Sequence, residues 1–129
     1  IMVNRYYGWY FDALNLDEAI NKLSNELDNI HDQTKKPIII SEFGADTIPG
    51  FHSVNQELYT EEYQVEYWEK YLEMSSKKDF VVGLHAWVFA DFRTTHSTMR
   101  IGGLNHKGAF TRDRKPKMSA HFLKSKWKK

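Results

Sequence analysis

The 129-residue sequence contains no cysteine. That excludes a disulfide scaffold and any thiolate metal site. It carries almost no excess charge: 18 Lys and Arg against 17 Asp and Glu leave +1. No field of that size argues for nucleic acid or an anionic membrane as a partner. No apolar run approaches the ~20 residues that a membrane helix needs. The opening residues, Ile1-Met2-Val3-Asn4-Arg5, do not pair a basic stretch with an apolar one. No signal peptide is read there, and a cytoplasmic location is the expectation. The chain has no internal repeat, no low-complexity tract and no Gly-rich phosphate loop after an apolar run. The six histidines show no metal-ligand spacing, so neither a metal nor a cofactor is expected. What is abundant is ring surface: 8 Phe, 7 Tyr and 4 Trp, which suits a large core or a ligand-lined cleft. At 41% hydrophobic and 27% charged, the chain reads as one globular domain.

Short apolar runs alternate with long amphipathic segments. Residues 1–4 read as the tail of a strand, followed by an aromatic loop, Asn4-Arg5-Tyr6-Tyr7-Gly8-Trp9-Tyr10. Leu16, Ala19, Ile20, Leu23, Leu27 and Ile30 form one helical stripe and predict a helix over 16–34. Asn15 with Glu18 is a capping-box pair, and Lys35-Lys36-Pro37 closes the helix. The run 38–43 predicts a strand, and its continuous isoleucines suggest burial on both faces. Thr60 caps a helix over 61–76 carrying Tyr67, Trp68, Tyr71 and Leu72. Residues 80–89 predict a third strand, and a long loop spans 91–115. Pro116 opens a last helix with Ala120, Leu123 and Trp127 on one stripe. Strand, helix, strand, helix, strand, helix means an α/β fold with parallel strands, either a doubly wound sheet or part of a (β/α)8 barrel.

In such folds ligands bind at the carboxyl ends of the strands. Here those ends carry Asn4, Arg5, Tyr6 and Tyr7; then Glu42; then Trp87, Phe89 and Asp91. Glu42 directly follows Ile38-Ile39-Ile40-Ser41. A carboxylate there either pairs with a cation, such as Arg5 or Arg100, or reaches a cleft. Tyr6, Tyr7, Trp9 and Tyr10 line a sugar pocket on one reading and fill core and loop on the other. His85 reads as a hydrogen-bonded interior histidine. Lys124, Lys126, Lys128 and Lys129 read as a solvated helix face, not a nucleic-acid site.

Four stretches, in order, resemble the carboxyl-terminal part of the β-glucuronidases of glycoside hydrolase family 2. They are Asn4 to Tyr10, Pro37 to Thr47, Trp87 to Phe92 and Gly108 to Lys117. The resemblance implies the last three β/α units of a TIM barrel, strands six to eight, over the whole of 1–129. It implies that Glu42 is the nucleophile of a retaining glycosidase, whose two carboxyl groups stand about 5–5.5 Å apart. It implies that Asn105 and Lys107 hold the sugar carboxylate, with Arg100 in the same polar cluster. Tyr6, Tyr10 and Trp87 then shape the sugar subsite, and Asn4 hydrogen-bonds there. The partners implied are a β-glucuronide and the rest of the same enzyme, as a homo-oligomer when complete, with no nucleic acid and no membrane.

The sequence departs from that pattern in places. Arg100-Ile101-Gly102-Gly103-Leu104-Asn105 has one residue more than expected before the asparagine. Leu84 stands where an acid is expected, and Val88 where an asparagine is. These changes leave a neutral-sugar glycosidase of the same family as an alternative. The family's acid/base glutamate follows an asparagine at a strand end, and no such pair is present. Asn25-Glu26 falls within a helix, and the acids nearest Glu42 are Asp46 and Glu57. A catalytically silent sugar-binding or assembly fragment is therefore the other alternative.

Overall fold

A computed structural model describes residues 1–127 of the chain. Three strands, β1 (Met2–Asn4), β2 (Ile38–Phe43) and β3 (Val81–Ala86), form one parallel sheet in the order β1-β2-β3. Helix α1 (Leu16–Thr34) joins the first two, and α2 (Glu61–Ser76) joins the last two. A short antiparallel ribbon, β4 (Phe92–Arg93) with β5 (Leu104–Asn105), precedes α3 (Met118–Trp127).

The α1 stripe buries Leu16, Ala19, Leu23 and Leu27. Asn15 does not cap it: the side chain makes no cap bond at φ −126°, ψ 62°, outside the extended region that aims an N-cap oxygen at the first turn. Glu18 pairs with Lys22 at 3.7 Å, one turn along, so the expected capping box is absent. Lys35 ends the helix in the left-handed conformation and donates its N–H to His31 O. Thr60 caps α2 as the sequence predicts, its Oγ1 accepting from Tyr63 N at 3.1 Å.

Along β2, Ile38, Ile40 and Phe43 are buried while Ile39 and Ser41 are only half-buried. The expected burial on both faces is thus corrected to one. The helices pack the side holding Ile38 and Ile40, and nothing comparable covers Ile39 among the described residues. Behind that buried face, Phe43 stacks on Tyr71 at 5.0 Å, and Tyr71 on Tyr67 at 4.6 Å. Such ring pairs add about 0.5–1.5 kcal/mol each beyond their buried area.

The third strand stops at Ala86, short of the predicted 89. From Val88 onward the backbone pairs with 107–110: Val88 N donates to Lys107 O, and Ala109 N to Val88 O. The Trp87–Val88 peptide is cis. His85 is exposed, so the interior reading of that residue is also corrected. The last helix begins at Met118, two residues after Pro116, because Pro116 pairs with Phe110 and Lys117 N donates to Ala109 O. Lys124 and Lys126 are exposed on it as expected; Lys128 and Lys129 lie outside the described residues. Among the described residues no helix is long and apolar enough to cross a membrane.

Candidate active site

Glu42 is the next-to-last residue of β2, and its Cα lies opposite Asn4 at a register shift in β1. It is half-buried, and its Oε2 accepts from the Tyr6 hydroxyl at 2.8 Å. The cations that could have bridged it are taken elsewhere. Arg5 pairs with Glu26 at 2.6 Å, and Arg100 with Asp46 at 3.3 Å. Among the described residues no cation pairs with Glu42, which favours the cleft over the bridged acid. Burial, then the bond to Glu42, raise the Tyr6 phenol far above its ordinary value, so Tyr6 stays a donor.

Beside this pair lies a charged cluster. Asp46 and Lys107 are each 1% exposed, and Lys107 Nζ reaches Asp46 Oδ2 at 2.5 Å. Arg100 donates to the same oxygen, and its second terminal nitrogen donates to Tyr10 Oη at 3.1 Å. Asp46 Oδ1 accepts from His106 N at 2.8 Å. The Lys107 ammonium also lies 5.9, 5.8 and 5.1 Å from the ring centres of Tyr6, Trp9 and Tyr10. These are cation–π distances. Burial works to raise the Tyr10 phenol, but bonds from Lys107 and Arg100 outweigh it and leave it below its ordinary value. Two cations against one carboxylate leave this cluster with one positive charge.

The remaining residues singled out in the sequence fall around it. Asn4 is exposed, and its Oδ1 accepts from Ser41 Oγ at 2.7 Å. Asn105 is buried, its Oδ1 accepting from Lys107 N at 3.1 Å. Trp87 donates its N–H to Phe43 O and sets its ring edge-on to Phe92 at 6.0 Å. A Cβ added at Gly44 would stand 2.1 Å from Trp87 O, so only glycine lets β2 and Trp87 approach this closely. Of the aromatic loop, Trp9 is core, while Tyr6 and Tyr10 face the charged cluster. Leu104, the additional residue, sits in β5 after the turn Ile101–Gly103, whose Gly102 has φ +64°. Sequence reasoning did not find the buried lysine Lys117 or the linking role of Asp46. A lysine next to a proline gives no sign of burial, and Asp46 had no visible partner.

A model of the family described as glycosyl hydrolases family 2, TIM barrel domain, matches residues 1–129. The chain belongs to that family. Of the two architectures that the strand–helix alternation allows, the family's is therefore the barrel. The β-glucuronidase of Paenibacillus borealis is 46% identical over 127 residues, covering 98% of this chain and 21% of that protein. The β-D-glucuronidase structure from Dictyoglomus thermophilum matches with a TM-score of 0.95 and 50% identity, over 100% of this chain and 22% of that one. The Ruminococcus gnavus β-glucuronidase in complex with D-glucuronic acid matches with a TM-score of 0.94 and 42% identity, over 99% and 22% of the two chains. This family 2 chain thus spans about a fifth of the length of the relatives it matches.

The two acids that next follow Glu42 in the sequence are placed for other work. Asp46 is held by Lys107 and Arg100, and Glu57 is exposed on the loop before α2. Among the described residues no group of three or more His, Asp or Glu side chains is placed to hold a metal ion.

Proposed function

We propose that this chain supplies the nucleophile half of a retaining β-glucuronidase site, as strands six to eight of a barrel completed by the upstream part of the same enzyme. The observation that carries the reading is the juxtaposition of Glu42, which pairs with no cation among the described residues, with a cluster bearing one positive charge. Glu42 attacks the anomeric carbon and forms a glycosyl ester as the bond to the leaving oxygen breaks. A glutamate from outside the chain gives that oxygen its proton, then takes one from the water that cleaves the ester. Tyr6 holds the Glu42 carboxylate in place by its hydroxyl. Lys107, Arg100 and Asn105 provide for the sugar carboxylate, with their surplus charge matching one anion. Tyr10 and Trp87 border the sugar, and Asn4 offers it an amide. A galactoside brings no negative charge to such a cluster, which disfavours the neutral-sugar alternative.

The test is covalent labelling of the complete enzyme by a slow 2-fluoro glucuronide. The wild type should accumulate the labelled ester on Glu42, and Glu42→Gln should not. Labelling that persists in the variant sinks the nucleophile assignment. Run beside it, hydrolysis of an aryl β-glucuronide by the isolated 129-residue chain should be absent, since a half-site has no proton donor. Turnover by the isolated chain would overturn the half-site reading.

A further inference from the structure

A second buried ion pair stands next to the first, and the proposed chemistry makes no use of it. Lys117 is 1% exposed. Its ammonium donates to Thr47 O at 2.8 Å, His106 O at 2.9 Å and Asp91 Oδ1 at 2.9 Å. All three donors of the group are thereby used. Two of the acceptors are telling by their place in the chain. Thr47 directly follows Asp46, and His106 directly precedes Lys107. Asp91 Oδ1 completes the frame by accepting from Gly108 N at 2.9 Å, on the other side of Lys107.

We propose that Lys117, with Asp91, is a positioning residue that fixes Lys107 and Asp46 relative to one another and so sets affinity for the carboxylate of the substrate. The proposal rests on the glucuronide reading above. Burying a pair of charges is expensive, and a well-packed apolar pair in its place is often as stable. Fold stability alone therefore gives little reason for an ammonium at this position. Its bonds end on the backbone that flanks Lys107 and Asp46, and on a carboxylate that grips that same backbone. Burial pulls the Lys117 ammonium below its ordinary value, and Asp91 opposes that pull. A plain tether for α3 would need none of this, because Lys117 N already donates to Ala109 O and Met118 N to Glu61 Oε2.

The experiment is steady-state hydrolysis of an aryl β-glucuronide by the complete enzyme, wild type against Lys117→Met and Asp91→Asn. Loosening one charge-assisted contact should raise KM about tenfold in each variant. The maximal rate should stay within about threefold, because Glu42 and its proton-donating partner are untouched. A merely structural role predicts the reverse: a lower maximal rate from fewer folded molecules, with KM unchanged. KM unchanged in either folded variant overturns the proposal, and so does failure of both variants to fold. A wild-type enzyme that leaves the glucuronide intact sinks the underlying reading instead, so the two failures are distinguishable.

Discussion

Lys107 and Arg100 both donate to Asp46, so removing either cation leaves a neutral pair where the wild type has one charge to spare. Lys107→Ala should therefore lower the ratio of kcat/KM for aryl β-glucuronide over aryl β-galactoside. A lost charge-assisted bond of about 1.5–3 kcal/mol corresponds to roughly 10–100-fold. An unchanged ratio would remove Lys107 from the sugar-recognition role. His106, beside it, gives a different readout. Its Nε2 lies 2.9 Å from Ile101 O and its Nδ1 lies 3.5 Å from Asp91 Oδ2. Both neighbours are acceptors, so the doubly protonated ring fits best. The nearby Asp91 carboxylate, with the Ile101 carbonyl, raises the imidazole above its ordinary 6.5, against burial and Lys117, which act to lower it. Because the folded value is the higher one, the stabilisation is complete below about 6.5 and is lost as pH rises through the folded value. His106→Gln should lower Tm more at pH 5.5 than at pH 9. A deficit that is equal at both would show that the charge on the ring contributes nothing.

At the scale of the elements, α1 and α2 start differently. Thr60 holds Tyr63 N, whereas Asn15 holds nothing with its side chain. Thr60→Ala should cost about 1 kcal/mol and speed amide exchange at Tyr63 several-fold, while Asn15→Ala leaves exchange at Ala19 unchanged. Equal effects would mean that the caps are interchangeable. The same contrast explains what could be read from the sequence. The stripe of α1, the Thr60 cap and the 38–43 strand are local signals, and local periodicity states them fully. The end of β3 is not local, because 88–90 bonds to a segment about twenty residues further on. The start of α3 is set in the same way by the pairing of Pro116 with Phe110. In the candidate site, Glu42 stands out in the sequence because a carboxylate after an isoleucine run is chemically conspicuous, while its role is the one proposed above. The enclosure of Lys107 does not stand out, because its rings and its acid come from the aromatic loop and the end of β2, far away in sequence. Gln64 of α2 shows how an element serves the site unseen: its amide donates to Ala45 O at 3.0 Å and to Lys107 O at 3.3 Å.

For the molecule as a whole, the parallel sheet has β1 and β3 as its two edges, each paired on one side only among the described residues. Met2, Val82 and Phe89 are exposed near those edges. A groove of about 390 Å³ between the end of β3 and α3 is lined by Leu84, Val88, Ala109, Phe110, Leu123 and Trp127. Unpaired edges and bare apolar surface invite association. The isolated chain should bind a hydrophobic dye such as ANS strongly and self-associate, and the complete enzyme should bind the dye only weakly. A monomeric, dye-silent chain would argue against barrel completion from outside. The burial of Lys117 also bears on the laboratory handling of this molecule. An ammonium fully spent on three oxygen acceptors cannot meet an acylating reagent. Activated esters and aldehyde resins should therefore modify exposed lysines such as Lys35, Lys115, Lys124 and Lys126, and pass over Lys117. Peptide mapping after acylation would display Lys117 as the protected one of these five.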